Sequence, residues 1–561
     1  MPWGACLSVA PPEPVDVRPA WQRASALLWP LALVLVVAVL FAGAPRGGAF
    51  YWPDSPRHAL NGAFVMDLIA AFPVGDPMGF AYAYYTQYPA LTILLYPPLL
   101  SFALAPFYAV FGVSQETALL VLFIFYCALA LSAYGLARLW LPRAGAFGVA
   151  LILVAAPEIA FWGRQVMLEI PAFAFVVWSA VFLVRHLRVK DARSLYASAA
   201  FLVLAMYTKL SVTFLVAPYA VAILLARGWS IFRDPHTYLI GAAAIVGLLP
   251  LIFLTVEFGQ ANVTSVIGIA DADVSRFSLH GWIWYAKKLP FQIGWPPFLL
   301  ALAFVLWAFW RRDQMSTSAP EGMLLIAWFI FGYLYYSAID LKEARHSVFL
   351  LLPVALWSGM ALYRWLPAER LAGGATIALG IVTLATTLVT RPVLYVDGYD
   401  DVVAFIAEKA PQDSVVLFSG YRDGAFIFNL RTHEERRDLT TLRADKLLLQ
   451  IAVRRALGVK QKDYTEAEIS DLLNRLGVHY VVAEPDFWID LEQKARLQSV
   501  LHSDQFEEVR RFDMHANYPA QEKELVVYRN LGDVAEGPHD IVIDLPIIDR
   551  QISGSTRKTG D

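Results

Sequence analysis

The sequence predicts a mainly α, polytopic membrane helical bundle of about 11 spans followed by a C-terminal extracytoplasmic α/β domain. Three observations predict it. Hydrophobic residues fill 58% of the 561 positions and charged residues only 17%, with a mean hydropathy of +0.51; a soluble globular chain carries about 45–50% apolar and about 25% charged residues. The charges are also segregated, with 51 of the 93 Asp, Glu, Lys and Arg residues lying from position 395 onward. Finally, the front of the chain contains a dozen long apolar runs, whereas the back alternates over short segments. Lipid is the solvent of the first part and water that of the second. A soluble enzyme is excluded, and so is a chain that is bundle alone. A net charge of −3 gives no reason to expect nucleic acid as a partner. Cys6 and Cys127, one near the terminus and one in an apolar run, build neither a disulfide framework nor a metal site.

A bilayer core needs about 20 apolar residues per helix. The runs that qualify, or nearly do, are 26–44, 91–112, 117–137, 144–160, 169–184, 195–208, 210–226, 237–256, 296–310, 322–338, 346–363 and 371–390. The first follows a Pro-rich leader with no small-residue cleavage site after it, so it reads as an anchor and not as a cleavable signal. Orientation follows from short basic loops. Arg138 with Arg143, Arg185 to Arg193, Arg227 with Arg233, Arg311 with Arg312, and Arg364 with Arg370 share one face, which is therefore cytoplasmic. Arg18 and Arg23 also place the N-terminus inside. Twelve crossings would return the C-terminus to the cytoplasm, so one run must fail to span. The run 91–112 is chosen, because Pro97, Pro98 and Pro106 interrupt its helix. Such backbone is tolerated at membrane depth only where protein packs around it.

The resulting organisation is a cytoplasmic leader (1–25), a membrane domain (26–394) with an outer loop at 45–90, a soluble α/β domain (395–548) and a disordered tail (549–561). Within the soluble part, 400–410 and 465–476 read as helices, the second stopped by Gly477. The segments 414–419, 426–430, 479–483, 507–512 and 524–528 read as strands. Asn262-Val-Thr264 is a glycosylation sequon on an outer loop, a pattern frequent by chance.

Ionisable groups near lipid cost about 2.5–3.5 kcal/mol each at a helix centre, so those that persist need a reason. Here they gather at outer helix ends. Tyr51-Trp-Pro-Asp54-Ser-Pro-Arg57-His58 follows the first span. Its Asp54 is placed to act as a general base if it stays ionised, or else to pair with Arg57 beneath an aromatic belt. Glu169 opens a span, where the helix dipole favours a carboxylate; with Asp54 it also offers hard oxygen ligands to a divalent cation. Lys209 stands alone between two apolar runs. Asp340-Leu-Lys342-Glu-Ala-Arg345-His346 opens another span. Lys209, Lys342 and Arg345 are suited either to snorkelling at the interface or to holding an anionic phosphate group. His58, His280 and His346 have no zinc spacing.

In the order and spacing of these pieces the chain resembles the multi-spanning GT-C glycosyltransferases, in particular the bacterial family 39-like group related to protein O-mannosyltransferases and to the aminoarabinose transferase of lipid A. The pieces are Pro53-Asp54-Ser-Pro-Arg-His58, Tyr96-Pro-Pro-Leu99, Leu168-Glu169-Ile-Pro171, Thr208-Lys209 and the run from Lys342 to Pro353. The C-terminal stretches 418–431 and 442–448 are similar to those of some bacterial members. The resemblance implies an inverting transfer of a sugar, hexose or pentose, from a polyprenyl-phosphate carrier to a lipid, glycan or protein acceptor, at the outer face of a bacterial inner membrane. It implies Asp54 as the base and Glu169 as a residue that orders the site or binds a divalent metal. Lys209 and Arg345 would hold the carrier phosphate, Arg57, His58 and Tyr96 would line the donor pocket, and Lys342 and His346 would complete the substrate contacts. Ser55 stands where many members carry a second acid, and Tyr96 where others carry a charge. A membrane transporter or lipid flippase is the alternative, which would require ionisable groups at the midplane and two related halves.

Overall fold

A computed structural model describes residues 20–259, 274–311, 320–451, 458–537, 540–545 and 550–555, with single residues 263, 267 and 455 between them. The leader before residue 20, Cys6, Asn262 and Thr264 of the sequon, and the last six residues lie outside the described residues. Eleven of the twelve apolar runs fall largely on helix or 3-10 turn, and the run 91–112 only from Leu99 onward. Among the described residues, six helices are long and apolar enough to cross a membrane: Gln115–Ala137, Glu169–Val189, Leu210–Arg233, Pro235–Phe258, Ala344–Trp365 and Glu369–Thr390. Shorter apolar helices are Leu27–Phe41, Leu99–Phe111, Arg143–Ala155 and Trp295–Trp310; Ala192–Thr208 and Pro320–Ser337 are helical too. Leu239, Ile245, Val246, Leu249, Phe253 and Val256 stand exposed along Pro235–Phe258, an apolar surface that only lipid can cover at low cost. The chain is a multi-pass membrane protein.

The proline-interrupted run behaves as its sequence dictates. Residues 91–98 are not helical, and helix begins only at Leu99. Its 13 residues reach about 20 Å at 1.5 Å per residue, short of the bilayer's ~30 Å core. Arg143–Ala155 is equally short but continues past a break into Pro157–Trp162. The loop at 45–90 holds two helices that hydropathy did not reveal, Asp54–Ala71 and Pro77–Gln87. The first buries Ala59, Leu60, Ala63 and Phe64 in one cluster with Leu100, Leu104 and Tyr108. The loop after Pro235–Phe258 likewise holds the helix Leu279–Ile293, capped by Ser278 through the Gly281 N–H at 2.9 Å.

The C-terminal domain is built on a five-stranded mixed sheet. We label its strands β1 (Val415–Ser419), β2 (Thr440–Arg443), β3 (Val478–Ala483), β4 (Phe506–Asp513) and β5 (Glu524–Asn530). Their order is β2-β1-β3-β5-β4, the first three parallel and the last two antiparallel. Helices Tyr399–Lys409 and Glu466–Arg475 form as expected, the latter with a complete Thr465/Glu468 capping box and Gly477 at φ +68° behind it. Two expectations are corrected. The run 426–430 is not a strand but part of the helix Asp423–Thr432. It is buried all round, and a short apolar run carries no periodicity that separates strand from buried helix. The tail expected to be disordered from 549 instead begins with the strand Arg550–Ser555, paired antiparallel with Asp540–Leu545.

Glycines permit close helix contacts in the bundle. A Cβ on Gly148 would lie 2.6 Å from the Thr376 carbonyl carbon, and one on Gly380 2.7 Å from Leu151, the small-residue packing by which membrane helices attract each other. Gly148→Val is therefore expected to force Arg143–Ala155 and Glu369–Thr390 apart at a cost of about 1–3 kcal/mol, read as a lower melting temperature in detergent. Gly374→Ala, with open space beside it, should not lower it.

Candidate active site

Five segments distant in sequence meet at the end of the bundle that carries the C-terminal domain. Asp54 is the first residue of Asp54–Ala71, so its carboxylate sits at the positive end of a helix dipole. It accepts from Trp52 Nε1 at 3.1 Å and from Arg345 Nη2 at 3.3 Å. Burial opposes its charge, but Arg345, then His58 and Arg57, together with the Trp52 hydrogen bond, outweigh that and hold the carboxyl below its ordinary value of 3.8. Asp54 is ionised at neutral pH.

Glu169 opens the helix Glu169–Val189 and is fully buried. One oxygen, Oε1, receives Lys209 Nζ at 2.9 Å and lies 3.7 Å from Arg345 Nη1. Lys209 reaches it because the chain turns extended there, between Ala192–Thr208 and the 3-10 turn Leu210–Leu215. Arg345 lies in a second such turn, Ala344–Leu350, at the start of another span. Its Nε pairs with Glu343 at 2.5 Å, and the guanidinium stacks 4.9 Å from the centre of Trp52 and 5.6 Å from that of Trp162. Gln292 holds this turn from the Leu279–Ile293 helix, donating to Ala344 O at 2.6 Å and to Ser347 Oγ at 3.0 Å.

His58, one turn beyond Asp54, is buried and packs edge-on against Tyr96 at 4.7 Å. Burial overrides the nearby Asp54 and Glu169 and pushes the imidazole down to about 4. It meets a ligand as a neutral donor or acceptor. Tyr96 arrives on the non-helical segment before Leu99, which Asn61 pins through Thr92, accepting from its N–H at 2.9 Å.

The structure thus brings Asp54, His58, Tyr96, Glu169, Lys209 and Arg345 together. Three other residues expected to contact substrate have partners within the protein. Arg57 makes a bidentate pair with Asp423 of the soluble domain, both contacts at 2.8 Å. Lys342 caps the end of Pro320–Ser337, donating to Ser337 O at 2.6 Å, to Tyr336 O at 3.3 Å and to Ile339 O; burial lowers its amine to about 8. His346 lies 3.6 Å from Glu343. Sequence reasoning did not single out Trp52, Trp162, Glu343, Gln292 or Asp423. Trp52 and Glu343 each stand two residues from a residue that was singled out, but the other three carry no local signal.

The residues do not fit a divalent cation. Hard cations take six or more oxygens, and Asp54 and Glu169 are already neutralised by Arg345 and Lys209. Among the described residues no three His, Cys, Asp or Glu side chains gather closely enough to hold a metal. The buried Glu169 Oε2 has no hydrogen-bond partner, and one free oxygen is not a coordination sphere.

Residues 96–253 match a family model described as dolichyl-phosphate-mannose-protein mannosyltransferase. No curated protein sequence matches the chain. Among solved structures, ArnT from Cupriavidus metallidurans bound to undecaprenyl phosphate aligns with a TM-score of 0.58 at 15% identity, covering 92% of this chain and 99% of that one. The apo form of the Archaeoglobus fulgidus oligosaccharyltransferase gives 0.53 at 12% identity, over 90% and 76%. That enzyme complexed with zinc and sulfate gives 0.52 at 12% identity, over 83% and 69%. The GT-C resemblance read from the sequence is borne out at the level of the fold, including the C-terminal domain that contains a sheet.

Removing one member of a buried ion pair strands the other. Lys209→Met is expected to destabilise the protein by about 3–5 kcal/mol by leaving Glu169 with only the more distant Arg345. Lys209→Met combined with Glu169→Gln should regain most of that loss. Thermal unfolding of the single and double variants checks both outcomes.

Proposed function

We propose that the protein is an inverting glycosyltransferase of the cell membrane, moving a sugar from a polyprenyl-phosphate carrier to a lipid, glycan or protein acceptor. The observation that carries this reading is an ionised carboxylate, Asp54, sharing one buried guanidinium with Glu169, beside the lysine that Glu169 holds. Acid and cations then stand within one site, where acceptor and carrier phosphate would meet. The match of 96–253 to a mannosyltransferase family model and the fold shared with an undecaprenyl phosphate-bound ArnT support the same chemistry.

In this reading Asp54 takes the acceptor's proton as the acceptor attacks the sugar carbon, and the carrier phosphate leaves with the bonding electrons. Lys209 and Arg345 receive the negative charge that collects on that phosphate. Glu169 acts through them, since its single oxygen holds both cations side by side. His58 and Tyr96 shape the donor pocket as neutral groups. Arg57 contributes from behind, through Asp423. The membrane arrangement that suits this chemistry has eleven crossings, with Leu99–Phe111 dipping and not spanning. The site and the C-terminal domain then face the periplasm or exterior of a bacterial inner membrane. The charged groups stand at helix starts and turns rather than mid-span, which weighs against a transporter or flippase.

Asp54→Asn should lower transfer by about 10²–10⁴-fold while binding of undecaprenyl phosphate persists; retained turnover would remove Asp54 as the base. Because the Asp54 carboxyl lies below 3.8, the ionised base is lost only as pH falls through that low value. Transfer should therefore stay flat from about pH 8 to about pH 5, and a pH profile of initial rates tests this. Arg345→Ala should weaken binding of undecaprenyl phosphate; an unchanged affinity would count against its phosphate role.

A further inference from the structure

Asp54 is held from the side opposite the bundle as well. The loop that leads to it, 44–53, is stitched to the soluble domain along its length. Asn429 donates to Gly48 O at 3.4 Å, Val396 pairs its N–H with Phe50 O at 3.2 Å, and Arg422 donates to Tyr51 O. Phe50 and Tyr51 pack edge-on against Phe428 and Tyr518 at 5.5 and 5.4 Å.

The helix that Asp54 opens is then clamped at two points by a single helix of the soluble domain, Asp423–Thr432. Near the start, Asp423 receives Arg57 on both oxygens. Asp423 is itself fixed by Arg443 at 2.8 Å, which is tied to Asp445 at 2.7 Å and to Pro89 O at 3.2 Å. Ten residues further on, Asp67 receives the fully buried Arg431 at 2.8 and 3.0 Å, and Arg437 at 3.1 Å. Arg431 is held in turn by Glu434 at 2.6 Å and Tyr84 at 3.2 Å. The two pairs are eight residues apart on one helix and ten on the other, about 12 and 15 Å at 1.5 Å per residue, so the helices run side by side in one direction. Their charges are crossed, acid on the soluble helix at one clamp and base at the other, which fixes both partner and register. Between the backbones the fit is tight at Gly424. A Cβ on Gly424 would come 3.2 Å from Pro56 Cγ, 3.3 Å from Arg57 Cγ and 3.5 Å from Pro53 O, at the two turns that carry Asp54.

We infer that the helix Asp423–Thr432 of the soluble domain positions Asp54 for the reaction, with Asp423, Gly424 and Arg431 as positioning residues acting through Arg57, Pro56 and Asp67. The inference rests on the reading of Asp54 as the base. The soluble domain is then part of the transferase's working geometry and not an appended binding module. Lys209 and Glu169 lie on the bundle, and Arg345 meets the clamped segment only at Asp54 and Trp52, so binding of the carrier phosphate should depend on the clamp far less than turnover does.

The test uses the full-length protein in nanodiscs and compares Asp423→Asn, Asp423→Glu, Gly424→Leu and Asp54→Asn. Three quantities are measured: affinity for undecaprenyl phosphate, kcat and KM for the polyprenyl-phosphate sugar that the wild type turns over, and amide exchange across residues 44–62. Asp423→Asn and Gly424→Leu should lower kcat ten- to hundredfold, since small misplacements from remote changes cost that much. Undecaprenyl phosphate affinity should stay within about twofold, and exchange over 44–62 should rise. Asp423→Glu, which keeps the charge, should recover most of the loss. Wild-type kcat in both Asp423→Asn and Gly424→Leu would overturn the inference while leaving an inactive Asp54→Asn to support the base. A parallel loss of undecaprenyl phosphate affinity would overturn it as well, by showing general disruption. Turnover retained in Asp54→Asn would instead sink the base reading, and the positioning of that base with it.

Discussion

The site depends on one buried cation. Arg345 is almost fully enclosed, yet its guanidinium meets three carboxylates, Asp54, Glu169 and Glu343, and lies against two tryptophans. Burying a guanidinium alone would cost far more than folding supplies, so the acids that face it are required by it. They come from an outer-loop helix, the start of a span and the turn before another span. Satisfying this one charge therefore brings those three segments to a common point. It also explains why Asp54 and Glu169 stay ionised next to each other. Without the cation between them, one carboxyl would take up a proton.

From that point a chain of contacts runs outward to the soluble domain. Trp162, stacked on Arg345, donates to Glu158 at 2.6 Å, and Glu158 accepts from Arg391 at 2.9 Å, just beyond the last span. Arg164 adds a bond to the Arg391 carbonyl at 2.9 Å. The linker to the soluble domain is thus tied to the same aromatic wall that supports the cation. The domain then returns to the loop before Asp54 through the Phe50–Val396 bridge. Bundle and soluble domain close a ring about the site, so neither shifts without disturbing Asp54 or Trp162.

Much of this was legible in the sequence, for reasons that can be stated. The spans were readable because lipid forces long apolar runs, and the proline-broken run 91–112 announced its own failure to form a full helix. Asp54, Glu169, Lys209 and Arg345 stood out because charge next to lipid demands an explanation. Two kinds of feature were not legible. Helices such as Asp54–Ala71 have neither a full apolar run nor a clean stripe, since one face meets the bundle and another the soluble domain. The partners of Arg57 and Arg431 lie more than 360 positions away, at Asp423 and Asp67, and no local pattern encodes so distant a pair. For the same reason the sequence did not show that Arg57 pairs with Asp423 of the soluble domain. Lys342 was open in the sequence to either snorkelling or anion binding, and nothing local showed that it donates to the free carbonyls of a helix end.

On the proposed reading, the electrostatics also say where the catalytic driving force lies. A carboxylate kept below its ordinary range by Arg345, His58 and Arg57 is a weak base, and a weak base removes a proton late, after the attacking atom has begun to bond. Such a site cannot rest on strong activation of the acceptor. The larger share of the barrier must instead be met at the leaving group, where the carrier phosphate accumulates charge beside Lys209 and Arg345. Glu169 makes this possible by holding both cations at one oxygen in the absence of phosphate, so that they need not be assembled when the donor arrives. The acid that orders the cations and the acid proposed to take the proton are thus set apart by their surroundings: Glu169 is fully buried under two cations, while about a quarter of the Asp54 side chain is exposed.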